Sequence, residues 1–170
     1  MNIFSELKRS KYKICTIIKK IWWKLEYGKR CTFGKRFCFR NMMLINICDT
    51  GNTKIGDNVF FNNGCSINSH CQIIIGDNCI FGENVKIYDH NHIFSEYDKP
   101  IYSQGYKNKM VEIGNDCWIG SNVTILPGSI IGCKTIIGAG CVIFDSIPEG
   151  SIVTTASREL RIKRRIRDGE

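Results

Sequence analysis

Two of the chain's three histidines share one short segment. His90 and His92 lie in IYDHNHIF, separated by Asn91, and His70 stands apart from them upstream. Imidazole titrates near neutrality, so a histidine beside a cleft can take a proton from a substrate hydroxyl or amine. Three imidazoles converging on one point would instead hold zinc, whose bound hydroxide would be the nucleophile. His90 and His92 are two apart and face alike on a strand, and the spacing of His70 allows it to stack above them. Both chemistries are open at this point, beside the plainer reading of three exposed polar residues. After the histidines runs IFSEYDKPIYSQGYKNKMVE, residues 93–112, with Pro100, Gly105 and four aromatic residues. A segment of that length without its own pattern is uncommon in a compact fold unless it is functional.

The elements that would position these groups follow a period of six. Aliphatic or aromatic leads stand at Ile55, Phe61 and Ile67, again at Ile75, Phe81 and Ile87, and then at Ile113, Ile119, Ile125, Ile131, Ile137 and Ile143. No helix has that period, and a plain strand alternates with period two. Six residues make one short strand and one tight turn, and three such units close a triangular coil whose equivalent positions stack. The leads fill its interior. Glycine follows the lead at positions 56, 76, 82, 114, 120, 132 and 138, which suits a turn needing unusual dihedrals. The fifth residue is small, and Cys65, Cys71, Cys79, Cys117 and Cys141 fall in that slot as small hydrophobes. The remaining cysteines form no CxxC pair, so no zinc ribbon or disulfide framework is indicated. Ile73-Ile74 and the segment 93–112 interrupt the register, and the longer one should protrude as a loop.

The chain has 170 residues, one domain's worth, with a net charge of +8 concentrated at its ends. Residues 1–40 hold 12 Lys and Arg against 2 Glu, whereas the middle of the chain is acidic. No run of apolar residues is long enough for a membrane-spanning helix, and lysines interrupt the first twenty residues, so a cytoplasmic location is expected. Residues 1–30 read as a basic amphipathic helix with Ile14, Ile18, Ile21, Trp22 and Leu25 on one stripe. That stripe would cap the open end of the coil, or rest on a membrane surface. Residues 31–155 make the coil, and 156–170 a basic tail or helix. Nucleic-acid binding has only charge in its favour, because no aromatic residues are interleaved with the basic runs.

The twelve hexads resemble the hexapeptide-repeat acyltransferases, above all the galactoside and maltose acetyltransferases and the shorter enzymes that acetylate capsule or lipopolysaccharide sugars. The resemblance implies an all-β, left-handed parallel β-helix and a homotrimer with sites between neighbouring coils. It implies an acetyl-CoA-dependent O-acetyltransferase acting on a sugar hydroxyl by direct transfer, without a metal. His92 matches the family's catalytic base, with His90 two residues earlier at the acceptor. Asn62, in FFNNG, matches an acceptor-binding asparagine. Trp118, Gly120 and Ser121, in DCWIGSNV, and Ala139 and Gly140, in IGAGCV, match segments that line the coenzyme groove, Trp118 also bordering the acceptor. Where the family carries Thr-Lys-Asp this chain has Phe144, Asp145 and Ser146, so Arg158 and Lys163 are expected to meet the coenzyme's phosphate instead. Coils of this kind also act on amino groups of sugars or antibiotics, serve as non-catalytic scaffolds, or form zinc carbonic anhydrases.

Overall fold

In a computed structural model, residues 3–155 are described, with side chains from Ile14 onward; Arg158, Lys163 and the rest of the basic tail lie outside the described residues. The chain winds into a three-sided parallel β-solenoid of about six turns, preceded by one helix, α1 (Ile3–Tyr27). This is the all-β architecture expected from the hexads. Two faces carry six short parallel strands each and the third carries five. The lead residues stack as interior columns: Phe33, Ile55, Ile75, Ile113 and Ile131 on the first face, Phe39, Phe61, Phe81, Ile119 and Ile137 on the second, and Ile45, Ile67, Ile87, Ile125 and Ile143 on the third. The rings of Phe61 and Phe81 stack at 4.0 Å, so an aromatic lead pairs with an aromatic lead on the next turn.

The first turn of the coil, starting at Cys31, precedes the twelve regular hexads. Phe33, Phe39 and Ile45 are leads, but Phe37 and Met43 fill the slot that is small elsewhere, and both are buried. They can be large because no turn lies above them; the helix does instead. Cys65, Cys79, Cys117 and Cys141 are buried in the small slot, but Cys71 is only half-buried. There Ile73-Ile74 lengthen the turn, so Ser69 and Ile73 point inward and Cys71 sits at the bend between them.

The glycines after the leads serve a different purpose from the one expected. Positive φ falls two residues later, at Asn58, Asn78, Asn84, Asp116 and Asn122, where asparagine tolerates the left-handed region. The glycines are required by stacking. A Cβ on Gly56 would lie 2.3 Å from Asp77 Oδ1, and one on Gly76 would lie 2.4 Å from Asn115 Oδ1. Those side-chain oxygens accept the backbone N–H of the turn above: Asp57 N donates to Asp77 at 2.7 Å, and Asp77 N to Asn115 at 2.7 Å. The corner between the first and second faces is therefore closed by a ladder in which the residue after the glycine caps the preceding turn.

Helix α1 covers the open end of the coil, but not with the stripe that the sequence pattern singles out. Trp23, 2% exposed, packs on Phe33 and Phe39 with ring centroids 5.9 and 5.3 Å away. Thr16 Oγ1 donates to the Phe39 carbonyl at 3.3 Å, Lys19 Nζ to Met43 at 2.7 Å, Lys20 Nζ to Phe37 at 3.4 Å, and the Tyr27 hydroxyl to Ile45 at 3.1 Å. These carbonyls belong to the first turn, which has no coil above it to supply donors. The polar face of α1 thus closes the polar edge of the solenoid, leaving Ile14, Ile18, Ile21, Trp22 and Leu25 exposed.

Candidate functional site

Chemistry-bearing residues gather at two places on the prism. The first is the corner between the third and first faces, where the chain leaves the coil. His90–His92 form a strand that pairs antiparallel with Tyr106–Asn108, so the protruding segment is a hairpin arm spanning about residues 90–110. Val111 is already back in the coil, buried and paired with Ile73. Asp89, fully buried, anchors the departure. Its Oδ1 accepts His70 N at 2.7 Å and lies 3.2 Å from His90 Nδ1; its Oδ2 accepts Cys71 N at 2.8 Å and lies 2.9 Å from Ser69 Oγ. The Asp89 carbonyl accepts Lys109 N at 2.8 Å, so the same residue also holds the returning strand.

The rings of His70 and His90 stack face to face at 3.5 Å, with Tyr106 edge-on to His70 at 4.4 Å and tilted against His92 at 4.5 Å. A carboxylate on His90 Nδ1 fixes that ring and leaves Nε2 free of it. His92 is exposed on the arm, on the same side as His90 and Tyr106. Burial, together with the neighbouring His90, holds the pKa of His70 below its usual value. Imidazole lone pairs lie in the ring plane, so two stacked rings offer a metal no common point, and among the described residues no three His, Cys, Asp or Glu side chains group as a metal would need. Beside the pair opens a cavity of about 360 Å³, lined by Asn46, Asn68, Tyr88, Glu26 and Tyr27 together with His70 and His90.

The second place is the corner between the second and third faces. Asn62 sits there, half-buried, with its Oδ1 3.3 Å from Arg40 Nη1. Above it Gly82, Gly120 and Gly138 form a column without side chains, and a Cβ on Gly120 would meet Ala139 N at 2.6 Å. Gly120 is thus required by the coil itself. In this corner's ladder Asn41 N donates to Asn63 Oδ1 at 3.2 Å and Glu83 N to Ser121 Oγ at 3.1 Å. Ser121 should then donate to the side chain one turn on. That residue is Ala139, which has no acceptor. Among the described residues no partner lies against the N–H of Ser121 or of Ala139. Gly140 is left-handed at φ +76, and a Cβ there would meet open space. Next to this corner, on the outside of the second face, Trp118 is exposed between Ile80 and Ile136 and borders a shallow cavity of about 310 Å³ with Asn78, Asp116 and Lys134.

One chain does not bring these two places together. The corner carrying His90 and His92 is opposite the second face, which carries Trp118. Along the coil axis they are close: Trp118 lies on the turn directly after the one that ends in the histidines, a step of about 4.8 Å.

The repeats match two family models: "Bacterial transferase hexapeptide (six repeats)" over residues 110–145, and "Hexapeptide repeat of succinyl-transferase" over residues 72–87. The putative lipopolysaccharide biosynthesis O-acetyl transferase WbbJ of Escherichia coli K12 is 32% identical over 86% of this chain and 78% of its own length. This chain belongs to the hexapeptide-repeat transferase family. The galactoside O-acetyltransferase of Escherichia coli K12 is 34% identical over 69% of this chain, which spans only 56% of that enzyme. Among solved structures, galactoside acetyltransferase in complex with coenzyme A aligns with a TM-score of 0.63 at 25% identity, covering 79% of this chain and 65% of that one. A hexapeptide-repeat acetyltransferase from Vibrio cholerae complexed with acetyl coenzyme A shares the fold, with a TM-score of 0.67 at 24% identity over 92% of this chain and 83% of that one.

Residue types singled out the three histidines and the resemblance singled out Trp118, but neither showed what Ala139 lacks or that Asp89 holds the backbone N–H groups of His70 and Cys71. Asp89 carries a sequence signal as a charged residue at an inward-facing position, the one buried there among the described residues. Ala139 is found by reading down the ladder column Asn41, Asn63, Glu83, Ser121, Ala139, where the supply of acceptors stops.

Proposed function

We propose that this protein transfers the acetyl group of acetyl coenzyme A to a hydroxyl of a sugar in surface polysaccharide biosynthesis, as a homotrimer with its sites between coils. The observation that carries the reading is the broken ladder: Ser121 and Ala139 present two N–H donors with no partner among the described residues, next to the bare column of Gly82, Gly120 and Gly138 and beside exposed Trp118. Carbonyl oxygens of the coenzyme's pantetheine arm would accept from those donors, while the arm's methylenes lie along Trp118 and Ile136. The histidine corner of a neighbouring copy, at nearly the same height, supplies the base. Neutral His92 takes the proton of the acceptor hydroxyl as its oxygen bonds to the thioester carbon. The tetrahedral oxyanion is held by a backbone N–H; it collapses with loss of the C–S bond, and the proton passes from His92 to the leaving sulfur. Asn46, Asn68, Glu26 and Tyr88, in the cavity beside His90, suit an acceptor with many hydroxyls and an apolar ring face. Asn62, on the groove side, would meet the acceptor from the other copy. The WbbJ relative, named for lipopolysaccharide biosynthesis, supports a sugar acceptor.

The test is a pair of substitutions. Ala139→Asn restores the missing acceptor, so it should quench the Ser121 N–H and weaken coenzyme A binding at least about tenfold by calorimetry, while the melting temperature holds or rises. His92→Asn should keep coenzyme binding and lose transfer by about 100- to 10,000-fold, with His90→Asn costing much less. Unchanged coenzyme binding in the first variant refutes the groove. Full activity in both histidine variants refutes the base, and loss in His90→Asn alone transfers that role to the carboxylate-bound ring.

A further inference from the structure

The cap helix faces the coil with its polar side and the solvent with its apolar side. Ile14, Ile17, Ile18, Ile21, Trp22 and Leu25 are all more than half exposed, Leu25 at 80%. At about 100° per residue these six fall within an arc of roughly 140°, centred opposite the set formed by Thr16, Lys19, Lys20, Trp23 and Tyr27 that grips the coil. The stripe therefore points away from the solenoid and does not continue its core. A contiguous row of large apolar side chains of this kind is uncommon on a surface that meets only water.

We infer that α1 docks this protein on an anionic membrane surface, lying in the interface with the stripe among the acyl chains. Charge selects the partner. Between Ile14 and Arg40 the sequence has eight Lys and Arg and a single carboxylate, Glu26. Lys24, exposed on the helix, and Lys29, exposed just after it, add positive charge near the stripe, and Trp22 at its margin suits headgroup depth. A second copy laid stripe to stripe would bring two such basic ends together, which like-charge repulsion opposes, whereas anionic lipid complements them. The helix interior of the stripe is not needed to close the coil, because Trp23 and four side-chain hydrogen bonds already do so. The inference stands independently of the acetyl-transfer reading.

The experiment is vesicle flotation of the full chain. The protein should float with phosphatidylcholine–phosphatidylglycerol vesicles and not with phosphatidylcholine alone, and high salt should release part of it. Its tryptophan emission should shift to the blue on binding. The triple variant Ile18→Asn, Ile21→Asn, Trp22→Asn changes only exposed side chains, so it should keep its melting temperature and coenzyme A binding. It should lose vesicle affinity by about 100-fold, at roughly fivefold for each partly buried apolar side chain. Failure of the unaltered chain to float with anionic vesicles overturns the inference, as does equal flotation of the triple variant. Light scattering in which the triple variant alone dissociates to smaller species would assign the stripe to a second copy. Loss of acetyl transfer to a soluble sugar with flotation intact would count against the proposed function only.

Discussion

Replacing Asp89 by asparagine keeps the shape of the buried group and inverts half of its hydrogen bonding. Two backbone donors face the carboxylate from different sides, His70 N at Oδ1 and Cys71 N at Oδ2. An amide has one oxygen, so in either orientation its NH2 meets a backbone N–H head on. The better orientation keeps oxygen toward His70 and His90. Ser69 then turns its single proton to the Asn52 carbonyl, also 2.9 Å away, and accepts from the amide. Cys71 N–H is left without an acceptor, which costs about 1–3 kcal/mol. The bonds that remain lose the assistance of the charge, roughly 0.5–1 kcal/mol each. The sum is about 3 kcal/mol. At a typical m-value of about 2 kcal/mol per molar urea, the unfolding midpoint should fall by about 1.5 M. Ser69→Ala removes one donor of the four and should cost about 1 kcal/mol. The assay is equilibrium urea unfolding followed by circular dichroism, with coenzyme binding as a check that the coil is intact. A midpoint for Asp89→Asn within about 0.3 M of the unaltered protein would refute the claim that this carboxylate pins the hairpin to the coil.

Two further outcomes follow from single side chains. Thr53 Oγ1 is buried without a partner among the described residues, in a column that continues with Ile73 and Val111, so Thr53→Val, which keeps the shape, should raise stability by about 1 kcal/mol in the same titration. His70 has its pKa lowered from 6.5 in the folded state; its contribution is fully present above 6.5 and is lost as pH falls below it toward the folded value, so His70→Asn should flatten the decline in stability on mild acidification.

The coil was legible because its code is redundant: the leads of twelve hexads had to point inward, and their neighbours do stack in register. The first turn, Cys31 to Ile47, was placed within the coil but not resolved into hexads, because Phe37 and Met43 occupy a slot that is small wherever another turn lies above. The face of α1 was misread for a related reason. Apolar periodicity locates a stripe but does not say what covers it, and the end of a solenoid offers unpaired carbonyls that attract Thr16, Lys19 and Lys20 more than isoleucine. The glycines were located correctly and explained wrongly, since a free Cβ position, not a positive φ, is what stacking demands there. Among the candidate site residues, the histidines stand out by residue type, whereas Asn62 and Trp118 were reached only through the resemblance. The donors at Ser121 and Ala139 are backbone groups, visible only once the ladder is laid turn on turn.

That difference points to how a repetitive coil can hold a site at all. A stacked solenoid satisfies its own backbone at every corner, with side-chain oxygens from Asp57, Asp77, Asn115 and Ser121 each capping the turn before. Such a surface has nothing to offer a ligand until the rule is broken. Here it is broken twice, by deletion at Ala139, where a missing acceptor frees an N–H, and by insertion after Asp89, where a buried carboxylate lets the chain leave the coil and return. The first break creates donors, and the second projects imidazoles beyond the prism. Because they lie on opposite sides of a rigid triangular section, folding of a single chain cannot join them, however stable the coil. The same stiffness that makes the repeats easy to read therefore requires that any site using both breaks be completed by a neighbouring coil.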